Sequence, residues 1–182
     1  MGHLPTTFSY THTYLTFVLM AGLSGAGKTT LARALSREFH WHLIDKDGHK
    51  EALINLGIDE EQAGEFAYEL SLYMARNELV KQHMSVIFDT AALNTFILDD
   101  AMNIVSSIPR ARLKVILCVA DRDLRNYRLR NRLPQITTIR ADPMTIADYF
   151  QYYEHLPETK LILFTNQPIE QCLVEIREYL KS

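Results

Sequence analysis

The stretch Val18-Leu19-Met20-Ala21-Gly22-Leu23-Ser24-Gly25-Ala26-Gly27-Lys28-Thr29-Thr30 decides how the rest of the chain is read. An apolar run enters a glycine-rich turn, and Leu31-Ala32-Arg33-Ala34-Leu35 continues at helical spacing. The expectation is a buried strand, a tight loop and a helix start. Gly22, Gly27, Lys28 and Thr29 fill the pattern G-x-x-x-x-G-K-[ST]. Such a loop turns several backbone N–H groups inward at phosphate oxygens, which requires tight positions free of Cβ. The helix opening near Lys28 adds the positive end of its dipole. Lys28 reaches the β- and γ-phosphates, and Thr29 offers a hydroxyl to Mg²⁺. Gly22, Leu23, Ser24, Gly25, Ala26, Gly27, Lys28, Thr29 and Thr30 are therefore read as the loop that binds ATP with its Mg²⁺, GTP being the other nucleotide the pattern allows.

Around this loop, 182 residues suffice for one α/β domain with a full core. Residues 13–182 are expected to form that domain, with residues 1–12 as a leader. Apolar content of 47% and a net charge of −3 describe an ordinary globular protein and argue against one built to coat nucleic acid. The charge is uneven: residues 110–132 hold eight of the nineteen Lys and Arg and two acids. Cys118 and Cys172 have no metal-ligand spacing, and Cys118 sits in an apolar run as a core thiol would. With no signal peptide and no apolar segment long enough to span a bilayer, the expected setting is cytoplasmic, without membrane contact.

Strand patterns are read at 14–20, 41–44, 85–90, 113–120 and 160–165. Helices are expected at 28–38, 48–56, 60–82, 94–107, 122–132, 144–155 and 168–180. For the 60–82 helix the buried stripe is read as Phe66, Leu70, Tyr73, Met74 and Asn77. Alternating strands and helices predict a three-layer α/β fold: a five-stranded parallel sheet with helices on both faces. Ligands in such sheets lie beyond the carboxyl ends of the strands. The phosphate loop, Asp45, Asp47, Asp89 and Arg122 all follow strands and should face one cleft.

Transfer of a phosphoryl group to a hydroxyl needs a carboxylate opposite the γ-phosphate to deprotonate the acceptor. Asp47 fits that role, or that of a helix N-cap. Asp45 is the rival base, and could instead orient Lys28 or the metal's water. Asp89 ends a hydrophobic strand as a Mg²⁺-binding aspartate does, or caps a turn; with Thr29 it forms the expected metal pair. The residue after it is Thr90, not the acid that motor ATPases place there, and the Asn-Lys-x-Asp of guanine-specific switches is missing.

Arg122, Arg125, Arg128 and Arg132 fall on one helical arc leading into the loop Pro134–Pro143. They read as a solvated basic face or as an arginine-rich lid, about 122–143. In the lid reading Arg125 meets the nucleotide phosphates, and Arg128 and Arg132 stabilise the transition state, the choice among the arginines staying open. His49, beside Asp47, is read as a substrate contact or as a surface helix residue, and Asp45 is grouped with it on the substrate side. His40 and His42 lack a third metal ligand. Tyr149, Phe150, Tyr152 and Tyr153 are read as packing rather than as a base-stacking platform.

With these residues assembled, the chain resembles the small P-loop kinases of the AAA-domain, zeta-toxin-like group, related to polynucleotide 5′-hydroxyl kinase, adenylylsulfate kinase and chloramphenicol phosphotransferase. The resemblance spans about Phe17 to Leu180. It rests on Gly22 to Thr30, Asp47, Val86-Ile87-Phe88-Asp89-Thr90 and the run Asp123 to Arg132. It implies a P-loop NTPase fold and Asp47 as base; where such kinases often carry an acceptor-binding arginine, this chain has Lys50. The reading adopted is an ATP-dependent phosphotransferase acting on a small-molecule hydroxyl. A nucleic-acid 5′-hydroxyl kinase and a nucleotide-binding switch or ATPase without an acceptor are the competitors. The acceptor's identity and the oligomeric state are not legible in the chain.

Overall fold

The structure, a computed structural model, describes residues 14–132 and 144–182. The expected leader and the Pro134–Pro143 loop lie outside the described residues, as does the side chain of Arg132. Strand β1 (Leu15–Ala21) is the centre of a five-stranded sheet, with β2 (His42–Asp45), β3 (Val86–Asp89), β4 (Ala111–Val119) and β5 (Leu161–Phe164) in the order β2-β3-β1-β4-β5. Every pairing is parallel. Because β1 pairs on both edges, its run from Phe17 to Ala21 is apolar throughout, as suits a doubly covered central strand.

Side chains of β1 alternate between two cores. Phe17, Leu19 and Ala21 pack with Phe88, Val115 and Leu117 beneath α3 (Glu60–Asn77), α4 (Thr95–Ser106) and α6 (Ile146–Tyr152). Val18 and Met20 pack on the other face with Leu31 and Leu35 of α1 (Lys28–Phe39) and Ile176 and Leu180 of α7 (Ile169–Lys181). The helices α2 (Lys46–Asn55) and α5 (Arg122–Arg132) follow β2 and β4. The register sets Met20 and Asp45 on either side of Asp89. The carboxyl ends of β1, β2 and β3 therefore finish level, beside the phosphate loop.

Three expectations need correction. The helix after β2 begins at Lys46 rather than 48, because Asp45 and not Asp47 is its N-cap: Asp45 Oδ1 accepts from the Gly48 N–H at 3.0 Å. The buried stripe of α3 is Ala63, Ala67, Ser71 and Ala75; Phe66, Leu70 and Tyr73 face outward, Tyr73 65% exposed. Both stripes repeat at helical spacing, and the helix turns inward the one whose small side chains let it lie close to its neighbours. Beyond Asn77 the helix widens into a single π-helical turn, Glu78–Gln82, in place of the straight run expected to residue 82.

Candidate active site

The phosphate loop is held by parts of the chain far from it. Gly22 has φ +133°, and a Cβ there would lie 2.4 Å from the Cys118 carbonyl oxygen and 2.8 Å from the Tyr149 hydroxyl. That space is taken by a specific arrangement. The Leu23 N–H donates to the Tyr149 hydroxyl at 2.8 Å, and that hydroxyl donates to the Cys118 carbonyl. Gly25, at φ +78°, would place a Cβ 2.7 Å from the Arg125 carbonyl oxygen, so α5 lies directly against the loop. Lys28 is nearly buried, its ammonium donating to the Leu23 carbonyl at 3.1 Å. Helix α1 has no side-chain cap at Gly27, which leaves its first amides for a ligand.

Asp89 is 4% exposed, and its Oδ1 has no hydrogen-bond partner among the described residues. Burial pushes its carboxyl above the usual range; the Thr29 hydrogen bond and Lys28 pull it down, and Asp45 and Asp47 push it up again. A Mg²⁺ ion that arrives with a triphosphate takes most of its ligands from phosphate and water. A hydroxyl and one carboxylate are then enough from the protein, and the unpartnered Oδ1 beside Thr29 fits that need. Among the described residues no group of three or more His, Cys, Asp or Glu could hold a metal by itself. His42 instead pairs with Glu78 at 3.2 Å.

Asp45 is occupied as the cap of α2 and lies 3.6 Å from Arg33. Asp47, in the first turn of the helix, has a side chain 77% exposed and 3.6 Å from Lys46. It lines a cleft of about 860 Å³ together with Gly25, Lys28, Thr29, Arg128, Thr165 and Gln167. The two other expected substrate contacts turn elsewhere. Ser71 gives its hydroxyl proton to Ala67, so His49 donates from Nδ1 to Ser71 Oγ at 2.8 Å. Lys50 pairs with Glu60 at 3.0 Å. Neither lines the cleft.

The arginines of α5 divide. Arg125 is fully buried, its guanidinium donating to the Ala120 and Met144 carbonyls at 3.3 and 3.2 Å over the Tyr149 ring. The expected phosphate contact is thereby corrected: this side chain braces the end of β4 and the start of α6. Arg128 lines the cleft and bonds the Gly25 carbonyl, the Thr165 hydroxyl and the Thr165 carbonyl at 3.3, 3.0 and 2.6 Å. Thr165 in turn donates to the Ala26 carbonyl at 2.8 Å. Sequence reasoning missed Tyr149 and Thr165, whose roles depend on contacts 126 and 139 residues distant. Cys118, pushed up to about 12 by burial, is the inert thiol expected.

A family model described as an AAA domain matches residues 17–156. The chain belongs to that family. Its fold is that of the small P-loop kinases. A candidate kinase from Chloroflexus aurantiacus is similar at 21% identity over 92% of this chain and 98% of its own, with TM-score 0.67. The APS kinase of Mycobacterium tuberculosis, in a structure holding AMPPNP and APS, is similar at 17% identity over 93% and 98%, with TM-score 0.63. A gluconokinase from Sinorhizobium meliloti is similar at 14% identity over 92% and 93%, with TM-score 0.58. No curated protein sequence matches the chain. These identities speak for the fold; the AAA-domain chain's chemistry has to come from its own residues.

Two predictions follow from the geometry. Tyr149→Phe leaves the Leu23 N–H and Cys118 carbonyl without their shared hydroxyl, at a cost of roughly 1–3 kcal/mol. Urea denaturation should register it, and nucleotide affinity should fall with it; unchanged values for both would show that the hydroxyl does not hold the loop. For Asp89, the native carboxyl holds its proton more tightly than the unfolded chain does. Its contribution to stability is therefore full at low pH and lost as pH rises through its raised pKa. Without ligands, Asp89→Asn should be more stable than wild type at pH 7, and the advantage should shrink as pH falls. An advantage that stays constant with pH would contradict the buried-charge account.

Proposed function

We propose that this AAA-domain protein is a kinase domain, residues 13–182, that transfers the γ-phosphate of ATP to a hydroxyl of a small molecule. The observation that supports this most is the position of Asp47. It lies on the cleft with Lys28, Thr29 and Arg128, and capping of α2 is carried by Asp45, so its carboxylate is available for chemistry. The fold, common to phosphotransferases that act on small acceptors, adds to the reading without naming an acceptor.

In this mechanism the inward amides of the loop and Lys28 hold the β- and γ-phosphates. Thr29 and Asp89 would hold Mg²⁺, which when bound offsets phosphate charge. Asp47 accepts the proton of the acceptor hydroxyl as that oxygen forms its bond to the γ-phosphorus. The bond from the γ-phosphorus to the β,γ-bridging oxygen breaks, and ADP leaves with the electron pair. Arg128 acts from the nucleotide side, fastened between the loop and Thr165, and Arg132 is the further candidate on the same helix. The residue after Asp89 is Thr90, which favours transfer to an acceptor over the water activation of a motor ATPase. Among the described residues no helix is long and apolar enough to cross a membrane.

Asp47→Asn is the test. Transfer should fall by about 10²–10⁴, the contribution typical of a positioned general base, while ATP binding measured by titration calorimetry persists. Near-normal turnover in this variant would remove Asp47 as the base.

A further inference from the structure

Beside the phosphate cleft lies a second cavity of about 620 Å³. The two adjoin at consecutive residues: Lys46 lines this one and Asp47 the other, their side chains 3.6 Å apart. Thr90 lines the second cavity directly after Asp89. A molecule in this cavity would meet the γ-phosphate end of a nucleotide across Asp47. On the kinase reading, this is where the acceptor sits.

The walls say what kind of molecule fits. Glu61, Glu65 and Glu69 follow one another at four-residue spacing along α3 and all line the cavity. Like charges at that spacing repel, and each pair costs a helix roughly as much as an opposite pair would contribute. An aromatic pair adjoins the row: Tyr68, on α3 between Glu65 and Glu69, meets Phe96 of α4 edge-on at 5.1 Å between ring centres. Burial and Asp100 push the Tyr68 phenol up, so it stays neutral, donating to Asp100 at 3.0 Å. Against the three glutamates the lining sets one ammonium, Lys46, already paired with Asp47. Thr90 also lines the cavity; the residue is 4% exposed, and no hydrogen bond joins its hydroxyl to another described residue. A hydroxyl left open on a cavity wall is a place for a ligand's polar group.

We propose that this cavity binds a hydroxyl compound carrying a protonated amine, the ammonium against the glutamate row and aromatic pair and a hydroxyl of the ligand on Thr90. Carboxylates supply the counter-charge, and ring faces add attraction for a cation. An anionic acceptor would be repelled by the same row. The acceptor class is thus opposite in charge to the APS and gluconate named for two proteins of the same fold. This assignment rests on the kinase reading for the transfer step but not for binding.

The experiment uses the whole chain and two readouts: equilibrium binding without nucleotide, and ADP formation with Mg²⁺ and ATP. The probes are amino sugars, amino alcohols and aminoglycosides, each with its N-acetylated counterpart, and gluconate as the anion. An amine should bind and accept phosphate with a KM roughly tenfold below that of its N-acetylated form, as loss of a charge-assisted contact implies. The double variant Glu65→Gln, Glu69→Gln should raise that KM by about tenfold or more and leave the KM for ATP in place. Amines that bind, with binding weakened in the variant but no ADP formed, would support the cavity and remove the kinase reading. Transfer to N-acetylated compounds or gluconate as good as to amines would overturn the proposal and leave the kinase standing. Failure of every amine both to bind and to accept phosphate would overturn it as well.

Discussion

One hydroxyl joins three segments that sequence keeps apart. Tyr149, on α6, receives the Leu23 N–H of the phosphate loop and donates to the Cys118 carbonyl at the end of β4. The loop needs such an anchor because its own conformation works against rigidity. Its amides must point inward with nothing bound, and its glycines, chosen for absence of Cβ, have the most freedom to lose on ordering. Arg128 and Thr165 hold the opposite side, through the Gly25 and Ala26 carbonyls. The loop is thus fixed by hydrogen bonds to its outer surface, and its inner surface is left for phosphate. Arg125 completes the frame from below, its buried guanidinium bridging the end of β4 to the chain entering α6.

The parallel register brings a second constraint, one of charge. With β2 and β3 paired so that Asp45 stands beside Asp89, and Asp47 two residues on, three carboxylates gather at one edge of the sheet. Burial and the two neighbours raise the Asp89 pKa, and Thr29 and Lys28 offset this in part. On the proposed reading a divalent cation would offset this repulsion and satisfy the Asp89 oxygen that nothing among the described residues reaches. On that reading metal and nucleotide would be coupled, because Thr29 and Asp89 are too few groups to hold the ion well before the phosphates arrive.

What could be read from the chain follows from which features are local. The strand, loop and helix around Gly22–Thr30 are local, and the five parallel strands emerged because each is a short apolar run between helices. Asp89 at the end of β3 was legible for the same reason. The face of α3 was not, since two stripes had helical spacing and only the packing decides between Phe66, Leu70, Tyr73 and the smaller Ala63, Ala67, Ala75. The arginines of α5 failed to separate because a helical arc does not say where the neighbours are: Arg125 and Arg128 sit three residues apart, one buried under carbonyls and the other on the cleft. Tyr149 could not be distinguished from a packing aromatic, because its partner is a backbone amide more than a hundred residues away. The glutamate row went unread, because four-residue spacing on a helix says nothing until the cavity it lines is known.

The two halves of the cleft are made of different material, and this decides how far similarity of fold can carry. On the phosphate side most contacts offered are backbone amides, a helix end and one lysine, so any chain that keeps the glycine pattern keeps the chemistry. On the proposed acceptor side the contacts offered are side chains of α3 and of the turn after β3, which can change without disturbing the sheet. At 14–21% identity the fold is shared, and side chains of this second kind are free to differ. Three carboxylates on one helix face, beside Tyr68 and across from Phe96, are a choice the fold does not require and helix stability disfavours. On the proposed reading their role lies in what enters the cavity, a cation being the ligand whose binding turns their mutual repulsion into attraction.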